Sequence, residues 1–245
     1  MYLLLCEGTV DMEFLTKLLI NCYNFRRKAV KEDYLDLKLG VRWRKFKVVE
    51  GDHEIVISYP PGGGSKTVIK TVRTKSQIKY WLSKNLSKLG IAIDIDERKS
   101  VQDLISSIEQ SLKSEYGDEN ITRHGNYSFK CKLNEHEFYI TVIPLGDLAI
   151  SNKLGFDVSQ HELEDLILDL AFENEFYSRV LNQAVEFYKE KKNENPNQKS
   201  IVKILEAFSS DLDNGIYELI SNLFRNFNRD ALPDYLLESI DEFLR

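Results

Sequence analysis

The sequence is poor in the residues that build stapled or thiolate-metal proteins. Cysteine occurs three times in 245 residues, at Cys6, Cys22 and Cys131. There is no CxxC spacing and no even framework, so a disulfide scaffold and a zinc-thiolate site are excluded. The three read as free thiols of a reducing cytoplasm. No apolar run approaches the ~20 residues of a membrane span, and no membrane partner is expected. Met1 to Glu7 is a short apolar stretch ended by an acid, without the basic flank and cleavage site of a signal peptide. No internal repeat and no low-complexity tract occurs. Hydrophobic residues make up 42% and charged residues 29%, which excludes extended disorder. The chain is long enough to bury a sizeable core.

Charge of one sign is also unevenly spread. The net charge is -6. Residues 1–156 hold 24 Lys+Arg against 20 Asp+Glu, and residues 157–245 hold 9 against 19. From Arg26 to Lys84 there are 15 basic and 6 acidic residues, with Trp43, Phe46, Tyr59, Tyr80 and Trp81 among them. Basic and aromatic residues together suit a polyanion: Coulomb attraction for phosphates, stacking for bases. A solvated charged face is the plainer reading of the same run. Arg42, Arg44, Lys45, Lys66, Lys70 and Arg73 are the candidate nucleic-acid contacts.

Periodicity predicts a strand–turn–helix start. Tyr2 to Cys6 is a short buried-strand run, Glu7-Gly8-Thr9 is a turn, and a helix follows from about Val10 to Arg27. Lys45–Val49 and Glu54–Tyr59 alternate as strands, and Thr67–Val72 reads as another. Ser76–Leu86 is a helix that Gly90 ends, Ile91-Ala92-Ile93 is a buried strand, and a helix runs from Ser100 to about Tyr116. Tyr127–Leu133 and Phe138–Ile143 read as alternating strands of a hairpin pair. After residue 157 only helices are predicted: Gln160–Lys191 with one break, Ser200–Phe208, Asp213–Phe227 and Leu232–Leu244. Two regions follow, an α/β domain over 1–156 and a helical region over 157–245.

Two groups of acids stand where α/β folds gather ligands, beyond the carboxyl ends of strands. Glu7 follows the first strand, and Asp11 lies one helical turn on. Asp94 and Asp96 follow Ile91-Ala92-Ile93, and alternate residues leaving a strand point the same way. Side-by-side carboxylates repel unless a cation neutralises them, and oxygen-only ligands suit Mg²⁺ or Mn²⁺. Such a cation polarises phosphates and activates water.

These residues resemble a known family. Leu5-Cys6-Glu7-Gly8-Thr9-Val10-Asp11, followed by Phe14-Leu15, is similar to the first motif of the Toprim domain. Ile91-Ala92-Ile93-Asp94-Ile95-Asp96 is similar to its second. Within that family the likeness is to the overcoming-lysogenization-defect (OLD) nucleases, which share the acid four residues after the glutamate. Ser159 and Glu164 in Ser-Gln-His-Glu-Leu-Glu-Asp resemble that branch's later acidic motif, and Lys199 stands where it places a phosphate-facing lysine. Glu162 competes with Glu164, Asp165 is a further alternative, and Lys203 or Lys192 competes with Lys199.

The resemblance implies a mainly parallel, Rossmann-like sheet flanked by helices. A β-rich basic excursion would be inserted at about 40–75. It implies Mg²⁺- or Mn²⁺-dependent cleavage of nucleic acid, DNA before RNA. Glu7, Asp11, Asp94, Asp96 and Glu164 would bind metal. Glu7 would serve in acid–base catalysis and Lys199 would neutralise charge on the phosphate. A second copy, or a separate ATPase or repair partner, is the expected protein partner. The chain departs from the family in two ways: Glu97-Arg98 replaces a third alternating acid, and the ATPase domain of the OLD nucleases has no counterpart.

Several rival readings share these residues. A dehalogenase-type phosphatase needs a Thr or Val soon after its Asp-x-Asp, where Glu97-Arg98 stands. A glycosyltransferase Asp-x-Asp leaves Glu7 without a role. A metal phosphatase acting on small phosphoesters, or a non-catalytic nucleic-acid-binding subunit, accommodates the same acids. Gly62-Gly63-Gly64-Ser65-Lys66-Thr67 lacks the glycine directly before lysine that a P-loop needs, and reads as a hairpin tip. Ser159 reads equally as a helix cap, with Glu162 three residues on.

Overall fold

Four apolar-rich residues open the chain as β1 (Tyr2–Leu5). Leu3, Leu4 and Leu5 have essentially no exposed surface. A strand buried on both faces reads as a continuous apolar run, and this one has parallel neighbours on both sides. They are β4 (Glu54–Ser58), with Leu3 opposite Val56, and β5 (Lys88–Asp94), with Leu3 opposite Leu89. The structure, a computed structural model, describes residues 1–30, 46–190, 197–209 and 215–245. Arg42, Arg44, Lys45 and Lys192 lie outside the described residues.

The eight strands run in the order β2-β3-β4-β1-β5-β8-β7-β6. The remaining members are β2 (Arg26–Arg27), β3 (Phe46–Glu50), β6 (Ile121–Arg123), β7 (Ser128–Leu133) and β8 (His136–Leu145). β2–β3, β3–β4, β6–β7 and β7–β8 are antiparallel. The expected mainly parallel sheet is therefore corrected to a mixed, mostly antiparallel one. Short connections account for β3–β4 and β7–β8: Gly51–His53 and Asn134–Glu135 are too brief for a crossover, so the chain returns beside itself. β3 and β4 are thus integral to the sheet and not an excursion from it.

The chain divides into two units. The first comprises Met1–Ile93, Val101–Pro144 and Tyr235–Arg245. It carries the sheet with α1 (Thr9–Cys22), α2 (Ser65–Arg73), α3 (Lys75–Ser83) and α4 (Val101–Tyr116). Thr67–Val72, expected as a strand, is helical. Its β-branched residues favour strand locally, but Val68 and Val72 stand four apart and are fully buried, whereas Lys66 and Lys70 are exposed. That is a helical face. The three glycines before it are a β4-to-α2 connection, not a hairpin tip. Gly62, Gly63 and Gly64 all have positive φ (96°, 63° and 78°). A Cβ on Gly63 would lie 2.8 Å from the Glu7 carbonyl oxygen, and Gly64 N donates to that oxygen at 2.9 Å.

The second unit comprises Asp94–Ser100 and Leu145–Asp234. Its helices are α5 (Ile150–Leu154), α6 (Leu163–Glu173), α7 (Glu175–Glu190), α8 (Gln198–Ala207) and α9 (Gly215–Leu223). The single break expected in Gln160–Lys191 falls at Asn174, whose Oδ1 accepts from Phe176 N and Tyr177 N, both at 3.2 Å. The last helix, α10 (Asp234–Leu244), returns to the first unit from Tyr235 onward. There Glu242 accepts from Asn126 N, Tyr127 N and Ser128 Oγ at 2.8–3.0 Å. Gly90, expected before the strand, lies inside β5. A Cβ there would meet Leu4 Cδ1 at 2.7 Å and the Phe243 ring at 3.1 Å. Among the described residues no helix is long and apolar enough to cross a membrane.

Candidate metal centre

The second unit begins where β5 ends. Asp94 is the last residue of that strand, and the chain turns two residues later at Asp96, whose φ is 57°. Aspartate tolerates this left-handed conformation better than most residues. The turn lets Asp96 pair with His161: each residue's N–H donates to the other's carbonyl at 2.8 Å. Glu162, next in sequence, is thereby carried to the Asp-x-Asp. Oxygens of Asp94, Asp96 and Glu162 all lie within 4.8 Å of one another, and the three residues are half-buried.

Each carboxylate has further partners. Leu163 N donates to Asp94 Oδ1 at 3.1 Å. Leu163 opens α6 and Glu162 is its N-cap, so Asp94 satisfies one of that helix's orphan amides. Arg98 Nη1 donates to Asp96 Oδ2 at 3.1 Å and to Ile95 O at 2.9 Å. Lys199 Nζ contacts Glu162 Oε2 at 2.7 Å and Oε1 at 3.0 Å. The Glu162 carboxylate raises the Lys199 pKa above its ordinary value. Lys199 is fixed in place by the start of α8, where Asn197 Oδ1 caps Ser200 N at 2.8 Å. Three hard oxygen donors at this separation, partly buried, are a donor set that can hold a divalent cation such as Mg²⁺ or Mn²⁺, with Arg98 and Lys199 already offsetting part of their negative charge.

The profile of a family described as "Protein of unknown function (DUF3226)" matches residues 1–236. The chain belongs to the DUF3226 family. No curated protein matches it. Among solved structures it is similar to the crystal structure of hypothetical protein PH0156 from Pyrococcus horikoshii OT3. The identity is 20%, the TM-score is 0.61, and the alignment covers 99% of this chain and 95% of that one. At that identity the likeness concerns the fold.

In this DUF3226 chain the later acid that joins the Asp-x-Asp is Glu162. Glu164 is not one of the three clustered acids. Ser159 does not cap α6, because the helix begins at Leu163 with Glu162 at its N-cap. Lys203 is exposed on α8. Glu7 and Asp11 belong to the first unit. There Asp11 Oδ2 accepts from Glu7 N and Gly8 N, both at 2.9 Å, holding the turn into α1. Burial raises the Asp11 pKa against those two amides. Lys66 and Lys70 are exposed and Arg73 is half-buried, all on α2.

Sequence reasoning missed the support behind the cluster. Asp165 has no exposed surface. Its Oδ2 accepts from Asp147 N at 3.2 Å and lies 3.1 Å from His161 Nδ1. Gln198 Nε2 donates to Asp165 Oδ1 at 3.0 Å and also to Gln160 O. One carboxyl group thus ties together the residue before Glu162 and the residue before Lys199. Burial pushes the Asp165 pKa up to about 7 and lowers that of His161. Lys153 pairs with Asp169 and, at 3.4 Å, with Asp147. The legible signal was a pair of acids four apart, Asp165 and Asp169, in a helix otherwise apolar on nearly every side.

Proposed function

We propose that this DUF3226 protein is a divalent-metal-dependent phosphodiester hydrolase acting on nucleic acid, DNA before RNA, as a Toprim-type nuclease. The observation that carries the reading is the convergence of Asp94, Asp96 and Glu162, with Lys199 on the last of them. The likeness of Ile91–Asp96 to the second Toprim motif supports it. Asp94, Asp96 and Glu162 would hold the cation. A bound Mg²⁺ or Mn²⁺ supplies Lewis-acid polarisation of a phosphoryl oxygen and a more acidic water. Lys199, half-exposed and anchored on Glu162, offers a positive charge to the phosphate as negative charge develops. Arg98 restrains Asp96. The resemblance assigns Glu7 and Asp11 to the same chemistry; the three clustered acids are sufficient for the proposal.

A cleavage panel tests it: supercoiled plasmid, linear duplex, single-stranded DNA and RNA, with Mg²⁺ and Mn²⁺ separately. Asp94→Asn is the control, because asparagine keeps an acceptor for Leu163 N. The expected result is cleavage of at least one form, lost in the variant. Failure to cut any form with either metal would overturn the reading. Turnover of a chromogenic monoester alone would replace it with small-phosphoester hydrolysis.

A further inference from the structure

Residues 55–93 contain seven lysines and arginines and no aspartate or glutamate, in a chain whose net charge is -6. Five of the seven lie on α2 and α3, which meet at Thr74. Neither helix has an acid in its first turn, although acids are the favoured residues there. Lys66, Lys70 and Arg73 stand at i, i+4 and i+7, so they share one face of α2. Like charges at this spacing repel along a helix. The arrangement therefore works against the isolated helix.

These side chains line an open depression of about 750 Å³, together with Lys75 and Ser76 of α3 and Glu115 of α4. Glu115 is its lone acid. Its carboxylate is shared between Arg73 and Lys75 at 3.8 and 3.9 Å, too long for direct hydrogen bonds. The Nε of Arg73 is buried without a hydrogen-bond partner. Lys66 and Lys70 are exposed, and no ion pair among the described residues involves either. The groove thus presents an excess of positive charge with unspent donors. Its floor is fixed: Val68 and Val72 are fully buried, and Tyr116 Oη donates to Val72 O at 2.6 Å.

We propose that this groove seats the phosphate backbone of a nucleic-acid strand, with Lys66, Lys70 and Arg73 tracking its phosphates along α2. The choice of nucleic acid as the polyanion rests on the phosphodiester reading above. A lipid surface is the competing polyanion, and the packing disfavours it. Membrane-surface helices bury an apolar face among acyl chains, and the apolar face of α2 is already spent on the core. Phosphate contacts of this kind position a strand without reading its sequence.

The test is fluorescence anisotropy of the full chain with labelled oligonucleotides of about 20 nucleotides, single-stranded and duplex. It is run in EDTA from about 50 to 200 mM salt. Lys66→Gln/Lys70→Gln is expected to weaken binding at least about tenfold at low salt. It should also flatten the salt slope by about 1.4 for a single strand or 1.8 for a duplex. Lys130→Gln/Lys132→Gln on β7 should leave both unchanged, and Glu115→Gln should tighten binding. Wild-type affinity and slope in the double variant would overturn the proposal. So would the absence of oligonucleotide binding by the wild type, with or without binding to phosphatidylserine vesicles. EDTA separates the two readings. Groove-dependent binding by a protein that cuts nothing sinks the hydrolase and keeps the groove. Cleavage and binding undiminished in the double variant do the reverse.

Discussion

Five carboxylates around the cluster in the second unit differ in exposure: Asp94, Asp96 and Glu162 are half-buried, and Asp165 and Asp169 are buried outright. Asp94, Asp96 and Glu162 keep contact with solvent and carry the proposed chemistry. Asp165 and Asp169 do not, having at most 1% of their surface exposed. Asp165→Ala leaves Asp147 N, His161 Nδ1 and Gln198 Nε2 without their acceptor. The expected cost is on the order of 3 kcal/mol, read as a lowered urea midpoint. Asp165→Asn tests the electrostatics instead. The folded pKa of about 7 lies above the unfolded value near 4, so the native state holds the extra proton between these limits. The contribution is most favourable below about pH 4 and is lost as pH rises to about 7. In EDTA, wild-type stability relative to Asp165→Asn should decline across that window and level off above it. A difference independent of pH would show that Asp165 is ionised throughout.

At the level of elements, the turn after β8 decides whether Glu162 arrives. Gly146 has a φ of 121°, and a Cβ there would lie 2.8 Å from the His161 carbonyl carbon. Gly146→Ala must therefore displace the backbone that pairs with Asp96. The expected loss is roughly 2–3 kcal/mol in stability, with weakened Mn²⁺ binding by calorimetry; wild-type values of both would refute the tight approach. The Asp-x-Asp was legible because a buried strand ending in alternate acids is a local pattern. Glu162 was visible only as a competitor to Glu164. The Asp96–His161 pairing that selects it joins residues 65 positions apart and leaves no periodic trace. The α2 helix was misread for the opposite reason. Thr67, Val68, Ile69, Thr71 and Val72 carry local strand preference, and the tertiary burial of Val68 and Val72 overrides it.

At the scale of the whole molecule, the strand runs and helical stripes were readable and the connectivity was not. A parallel centre around β1 agrees with its unbroken apolar run. The antiparallel margins arise from short returns whose partners the pattern alone does not name. The return of Tyr235–Arg245 to the first unit is made by Leu237, Glu238, Glu242 and Phe243, residues from the far end of the chain. The division into two units also localises the prediction for ligand linkage. A cation held by the native second unit stabilises it by about 2.7 kcal/mol at a hundredfold excess over Kd. Thermal unfolding should therefore shift upward with MnCl₂ in the wild type and by a smaller amount in Asp96→Asn. The most direct test of the central claim is calorimetric titration of the full chain with Mn²⁺, in wild type, Asp94→Asn, Asp96→Asn, Glu162→Gln and Glu164→Gln. The account predicts binding by the wild type and by Glu164→Gln, weakened at least about tenfold in the other three, a loss of about 1.4 kcal/mol or more. Absence of binding by the wild type, or undiminished binding by Glu162→Gln, would contradict it.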